Sequence, residues 1–410
     1  EYIKQNAKTP EIGKIIDDAM YLIENENPEL KNVLPKDYAR PEIDKIKLGE
    51  LVDIFTFDIG GQQAKANDIL GRVYEYFLGH FGSTEGEFYT PPSIVKLLVE
   101  LIEPYKGRVY DPCCGSGGMF VQSAKFIEEH QGNLSDISVY GQEYTATTWR
   151  LAKMNLAIRK IEGNLGPRDG DTFGNDFHKR LKADYILANP PFNIKDWGQE
   201  RLLDDPRWKY GIPPANSANY AWIQHMISKL SSKGKAAFVM ANGALSTMTK
   251  EEAEIRKNIV EDRLVDAIIA MPSQLFYTTG IPVSLWVLNK DKSTRKDEIL
   301  FIDARNMGEM VTRRHRELSS DEISEIANTY HSWKKNDKYE DINGYCASIS
   351  IEEVSQHDYI LTPGRYVGLE DEEDDGIPFE EKIEIVTNEI IKLFSESKQL
   401  ESEIENNLRS

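Results

Sequence analysis

Between residues 106 and 288 short apolar runs alternate with helical stretches, and that alternation constrains the fold more than any other feature of the chain. The runs centre on Val109, then on 137–141, on 185–188 at the end of an apolar stretch from Ala183, and on 236–240, 265–270 and 283–288. Strands and helices in such alternation predict an open α/β sheet. Upstream, Ile12, Ile15, Ile16, Ala19, Leu22 and Ile23 recur at helical spacing, as do Ile69, Val73 and Phe77, so 1–102 reads as a helical N-terminal domain. Downstream come a helical stretch over 321–334 and an unbroken acidic run at 370–375, expected as an extended, solvated linker. Beyond it Phe379, Ile383, Val386, Ile390, Leu393, Leu400 and Ile404 fall at alternating four- and three-residue steps, interrupted at Ser397. That seam wants a partner helix from another chain, although a terminal amphipathic helix can also fold back on its own domain. The expected organisation is therefore 1–102 helical, 103–368 sheet, and 369–410 acidic linker and heptad helix.

Two motifs sit where such a sheet holds ligands. In Val109-Tyr110-Asp111-Pro112-Cys113-Cys114-Gly115-Ser116-Gly117-Gly118-Met119-Phe120, a short strand breaks into a glycine loop that leads into a helix. Glycines there permit positive φ and close approach of the backbone to a ligand, and the helix offers unpaired N–H groups to a carboxylate. The glycines fit neither a dinucleotide fingerprint nor a phosphate loop, so pyrophosphate and triphosphate are disfavoured; a turn without a ligand stays open. Glu143 ends the next strand candidate, the position beside a bound ribose in a doubly wound sheet. Asp171, in Gly170-Asp171-Thr172-Phe173, is a candidate for the ligand's adenine edge.

The second motif, Asn189-Pro190-Pro191-Phe192, follows the third strand candidate. An Asn side-chain oxygen and a neighbouring carbonyl, accepting from the two N–H groups of a flat exocyclic amine, favour a pyramidal nitrogen and stabilise the charge that grows there during attack. Asn189 and Pro190 each precede a proline, which holds them extended, and neither proline brings a competing N–H donor. Phe192 offers a ring to a base rotated out of its stack. The same four residues also serve as a stiff turn ending a strand. Between Phe192 and Tyr220 a long irregular segment with Trp197, Trp208 and Tyr210 reads either as a lid or as a loop anchored to the core by those aromatics.

Taken together, these segments resemble the amino-methyltransferases of DNA, and more closely the methylation subunit of type I restriction-modification systems. Glu87-Phe88-Tyr89-Thr90-Pro91-Pro92 is similar to the family's cofactor-side segment, the loop from Asp111 to Gly118 to its S-adenosylmethionine loop, and Asn189 to Phe192 to its catalytic tetrapeptide. Resemblance extends over 234–245, 280–288 and Leu361-Thr-Pro-Gly-Arg-Tyr-Val367, so it runs from about residue 70 to 368. It implies a Rossmann-like, S-adenosylmethionine-dependent methyltransferase sheet. It further implies cofactor contacts from Glu87, Phe88, Tyr89, Thr90, Pro91, Pro92, Asp111, Gly115, Ser116, Gly117, Gly118, Glu143 and Asp171, and catalysis at Asn189, Pro190, Pro191 and Phe192. Asn rather than Ser at position 189 favours adenine N6 over cytosine N4. Carbon-5 methylation needs a thiolate, and Cys113 and Cys114 fall in the cofactor loop, not by the tetrapeptide.

Composition fits an intracellular, cytoplasmic enzyme. Of 410 residues 40% are hydrophobic, only three are Cys, and no apolar run is long enough for a membrane span. Cys113, Cys114 and the distant Cys346 make neither a disulfide framework nor a zinc set, so no metal is expected. The chain opens at Glu1, which suggests that N-terminal residues are missing. A net charge of −19 is the wrong sign for gripping phosphates unaided. The resemblance removes the conflict by implying a separate DNA-specificity subunit, reached through the C-terminal helix, with a restriction subunit and a second copy of the chain as further partners. Arg313-Arg314-His315-Arg316 offers local positive charge that serves either the DNA backbone or only solvent. Two other functions remain open: amino-methylation of RNA or of a protein glutamine, and a cofactor-binding scaffold without catalysis.

Overall fold

In a computed structural model, residues 1–54, 90–276 and 279–369 are described, together with 387, 391–394, 397 and 400. Ile69, Val73, Phe77, the 370–375 acidic run and most of the heptad positions lie outside the described residues. The chain divides into two compact units, Glu1–Gly368 and Leu369–Ser410.

In the first unit the strands are β1 (Gly107–Asp111), β2 (Ile137–Gly141), β3 (Gly163–Asn164), β4 (Ala183–Ala188), β5 (Leu230–Ala241), β6 (Val265–Ala270), β7 (Val283–Asn289), β8 (Glu298–Asp303), β9 (Glu309–Thr312), β10 (His315–Glu317) and β11 (Cys346–Ser350). Nine of them form one sheet in the order β11-β8-β6-β7-β5-β4-β1-β2-β3. Pairing is parallel from β3 through β5, while β7 runs antiparallel between β5 and β6, and β11 antiparallel to β8. The expected α/β sheet is present, and it is larger than the sequence indicates by β3, β8 and β11.

Alternation along the strands divides the interior into two cores. Val109, Leu187, Val239, Ile269 and Leu285 face one layer, with helices Pro92–Ile102, Gly118–Glu129 and Ser320–Lys335. Tyr110, Ile186, Phe238, Ile268 and Trp286 face the other, with helices Asn219–Lys229 and Lys250–Glu261. Both faces being covered, the strands read as continuous apolar runs, which is why they stand out in the sequence.

Helix Pro92–Ile102, placed by sequence in the helical N-terminal region, lies within the sheet's first core: Ile94, Leu97, Leu98 and Leu101 are fully buried there. The helical stripe near the N-terminus is only half used. Ile12 and Ile16 are buried, whereas Leu22 and Ile23 are exposed. Buried carboxylates take over the packing: Asp17 accepts from the backbone of Tyr38 and Ala39, and Glu24 from Asn32 and Leu34.

Candidate active site

From β1 the chain moves outward to β2 and β3 and then returns to β4 on β1's other side, so the strand order reverses between β1 and β4. Ligands in open α/β sheets bind in the crevice outside the carboxyl ends of the strands at such a point. There the segments following β1, β2 and β4 converge on a cavity of about 820 Å³. Its wall includes Thr90, Pro92, Asp111, Gly115, Ser116, Gly118, Glu143, Asp171 and Asn189 through Phe192. Thus most residues singled out from the sequence share one space. Pro91 and Gly117 stand behind it as the N-caps of helices Pro92–Ile102 and Gly118–Glu129, and Glu87, Phe88 and Tyr89 lie outside the described residues.

Glycine is required in the loop for two reasons. Gly115 and Gly117 have φ of +51° and +82°, in the left-handed region. A Cβ added at Gly115 or Gly118 would meet no atom within 4 Å; both positions border the cavity and keep it open to a ligand. The loop is pinned from behind: Cys114 N–H donates to Gln142 O (2.9 Å), Gly117 N–H to Cys114 O (2.8 Å) and Asn155 Nδ2 to Ser116 O (2.7 Å). The Glu143 carboxylate accepts from Gly115 N–H and Thr145 N–H, both at 2.9 Å, and so ties the loop to the end of β2. Asp171 accepts from Phe173 N–H and Gly174 N–H at 3.0 Å, which fixes the turn at its own segment. Both carboxylates border the cavity.

Asp111 is buried at the base of the loop, and burial pushes its carboxyl up to about 7 in spite of the Cys113 N–H it accepts; the nearby Glu143 charge adds to the rise. Cys113 also lines the cavity, nearer to the tetrapeptide in space than in sequence. Burial, then Asp111 and Glu143, raise its thiol well above the usual range, so it is held as a thiol and not as the thiolate that a covalent route needs.

Asn189 is the most specific feature. Its Nδ2 donates to Thr90 Oγ1 at 2.9 Å, which fixes the amide orientation, while its buried Oδ1 has no hydrogen-bond partner among the described residues. A buried acceptor without a donor costs about 1–3 kcal/mol, which a ligand amine can recover. Phe192 packs partly buried against both cores and also borders the cavity. The backbone just beyond it is locked by a reciprocal amide pair: Asn193 N–H donates to Asn219 Oδ1 (2.9 Å) and Asn219 Nδ2 to Asn193 Oδ1 (2.8 Å).

Sequence reasoning missed Ile194, Asp196, Arg201 and Trp222 on the wall, and also Gln122, Lys125, Thr148 and Leu151 on the flanking helices, whereas Trp197, expected as a lid or anchoring aromatic, lines the cavity too. Gln122 and Lys125 had a signal, lying three residues apart on the helix after the glycine loop. The irregular segment is anchored: Trp197, Trp208 and Tyr210 are buried, and their polar atoms bond Pro214 O, Leu202 O and Asp262. Beneath it Arg207 donates to the carbonyls of Thr172 (3.1 Å) and Phe173 (2.6 Å), to Asp205 and to His225 Nδ1 (3.1 Å). His225 Nε2 faces Tyr110 Oη at 3.1 Å on β1. Burial, followed by the charges of Arg207 and Lys229, holds that imidazole neutral, well below its ordinary value. Among the described residues no His, Cys, Asp and Glu cluster is arranged to hold a metal.

The family described as N-6 DNA methylase matches residues 65–375. The HindI type I restriction enzyme methylase subunit of Haemophilus influenzae is 47% identical, over 97% of this chain and 92% of its own length. The MjaIX counterpart of Methanocaldococcus jannaschii is 40% identical, over 98% and 74%. Among solved structures, a type I restriction-modification methyltransferase subunit from Streptococcus thermophilus superposes with a TM-score of 0.76 at 25% identity, over 89% of this chain and 79% of that one. The EcoKI M protein shares the fold, with a TM-score of 0.58 at 18% identity over 97% and 96%. The order of glycine loop, strand-end acid and Asn-Pro-Pro-Phe, gathered at one crevice and matched along the whole length, means that the chain belongs to the N-6 DNA methylase family, among the methylase subunits of type I restriction enzymes.

Proposed function

We propose that the protein methylates N6 of adenine in DNA, with S-adenosylmethionine as donor, as the modification subunit of a type I restriction-modification complex. The observation that carries this is the buried, unpartnered acceptor Asn189 Oδ1, on a residue that borders the same cavity as the glycine loop and whose amide orientation is set by Thr90. The cavity suits the cofactor: bare glycine positions admit a ligand close to the backbone, Glu143 stands where a ribose would lie, and Glu143 and Asp171 give the wall a negative character matched to a cation. When bound, S-adenosylmethionine supplies a methyl group activated on a sulfonium.

Asn189 Oδ1 and the Pro190 carbonyl accept from the two N–H groups of the target amine, draw its lone pair out of the ring and stabilise the developing positive charge. Phe192 receives the ring of the unstacked base and offsets part of an unstacking cost of roughly a few kcal/mol. With the cofactor bound, Asn189, Pro190 and Phe192 would hold the amine nitrogen in line with the activated methyl group, and the proton that the methylated nitrogen sheds would pass to water. Holding the two reactants in line does much of the work. The complex operates in the cytoplasm, where a specificity subunit reads the DNA site and a restriction subunit and second methylase copy complete the assembly. No described helix is long and apolar enough to cross a membrane.

Asn189→Ala tests the assignment. In the assembled complex with DNA and labelled cofactor, cofactor binding by isothermal titration should persist while methyl transfer falls by at least about 10²-fold. Unchanged transfer removes the proposed role of Asn189.

A further inference from the structure

β9 and β10 form a two-stranded antiparallel ribbon separate from the main sheet. Thr312 pairs with His315, so the ribbon turns on Arg313 and Arg314. Every residue from 309 to 314 is exposed, Val311 to 54%, so the tip packs neither face on a core, while His315 just after it is buried. An isolated ribbon is marginal in water. This one is held at its base: Arg316 N–H donates to Gln274 O (2.8 Å), Arg316 Nη1 to Met307 O (2.9 Å) and Gly308 N–H to Glu322 Oε1 (2.5 Å). Backbone bonded this firmly at the root yet bare at the tip contributes little to stability, and its position suggests what it does contribute.

β6 and β8 are parallel to each other and share the direction of β4 and β5, because β7 is antiparallel to both β5 and β6. Their C-terminal ends therefore lie on the sheet edge that carries Asn189. The ribbon follows β8 directly and bonds at Gln274 to the loop after β6. With strands about 4.8 Å apart, three to four strand spacings put its root roughly 15–20 Å from β4 along that edge. Exposed Arg365 lies in the turn Pro363–Arg365, next to Arg305: a Cβ on Gly364 would stand 2.8 Å from Arg305 Nη2, and Arg305 is paired with Asp303. The acids of the ribbon, Glu309 and Glu317, pair across its root and not at its tip, and Glu317 is taken up by His315.

In a chain of net charge −19, two adjacent exposed arginines at the tip of an arm on the sheet edge that carries Asn189 are a local reversal of sign. Guanidinium matches phosphate geometry, and a two-stranded ribbon has the width of the major groove. We infer that the ribbon is a DNA-contacting finger: Arg313 and Arg314 grip phosphates of the duplex whose target base enters the cavity, roughly five base pairs away at about 3.4 Å per step. This rests on the DNA-methylation reading above.

The test compares the wild-type complex, containing the full chain and its DNA-reading partner, with an R313A/R314A complex, using a fluorescent duplex titrated at several salt concentrations. The expected result is a Kd about tenfold higher at 0.1 M salt for cognate and unrelated duplexes alike, and a slope of log K against log salt shallower by about 2. Partner assembly and cofactor titration should not change. An unaltered slope in a variant complex that still methylates DNA overturns the finger alone. A variant that no longer assembles also overturns it, because the ribbon then docks on protein. A wild-type complex that assembles but neither binds nor methylates DNA takes down the underlying reading as well.

Discussion

Asn189 and Thr90 stand 99 positions apart, yet a single hydrogen bond between them fixes the orientation of the Asn189 amide, which in the proposed mechanism sets the end that faces the target amine. Without the Thr90 hydroxyl, rotation of the amide would present an NH₂ group to the incoming amine, donor against donor. Thr90→Val should therefore lower kcat about tenfold, in line with loss of one hydrogen bond of about 1 kcal/mol plus misorientation, and leave the cofactor Kd nearly unchanged. Single-turnover kinetics beside isothermal titration separates the two. Gly118→Ala makes the opposite split. The position opens a helix, has no positive φ and borders the cavity, so the extra methyl should be neutral or slightly stabilising to the fold. In the cavity it should cost about 1–3 kcal/mol of cofactor affinity, measured by titration alongside thermal unfolding. Asp111 gives a pH signature. Its folded-state carboxyl sits near 7, above the unfolded value of about 3.9, so the fold favours the neutral form. The stability this confers is full below about pH 4 and is lost as pH rises through 7, by up to about 4 kcal/mol. Asp111→Asn should flatten that fall and unfold at a higher temperature than wild type at pH 8, but not at pH 4.

At the scale of elements, what the sequence reveals depends on whether the signal is local. β2 and β6 have the bounds expected from their apolar runs because each is buried along most of its length. β5 begins six residues before its expected start, since Leu230–Ala241 opens on polar residues that join the sheet only by pairing. β8 is an apolar run, but it lies beyond the region where the alternation was drawn; β11 carries alternating Ser and is defined by antiparallel pairing with β8. The helix expected at 321–334 is observed over Ser320–Lys335, marked by the Ser319/Glu322 capping box and left-handed Asn336. The same rule governs the site. Its glycine-loop side is built from short motifs at strand ends and is legible, whereas Arg201 and Trp222 come from an irregular segment and the helix after it, where no spacing announces them. Arg207 is the hidden keystone of that segment, half-buried with Asp205 and bonded to the carbonyls of Thr172 and Phe173. Arg207→Ala would take the guanidinium away from both carbonyls and from Asp205, which keeps the backbone N–H of residue 207 as a donor. We expect a loss of about 2–3 kcal/mol in urea unfolding, with weaker cofactor binding because Thr172 and Phe173 border the cavity.

At the scale of the whole molecule, charge and division into units point the same way. A body of net charge −19 repels a polyanion at long range, and under the proposed function the C-terminal unit would recruit the partner that delivers DNA. Its described side chains Ile391, Leu393, Phe394 and Leu400 are exposed. Apolar groups on a helical seam lose little by pairing with another helix and gain roughly 25 cal/mol per Å² of apolar surface removed from water. The glycine loop, Asn189 and Thr90 all belong to the other unit, which ends at Gly368. A chain truncated after Gly368 should consequently keep its cofactor affinity and unfold cooperatively, yet fail to co-purify with the specificity subunit and lose methylation of duplex DNA at physiological salt. If the truncated chain still assembles with that subunit, the heptad seam is not the docking element, and the exposed apolar groups near the N-terminus, Leu22, Ile23, Ile46 and Ile54, become the surface to mutate next.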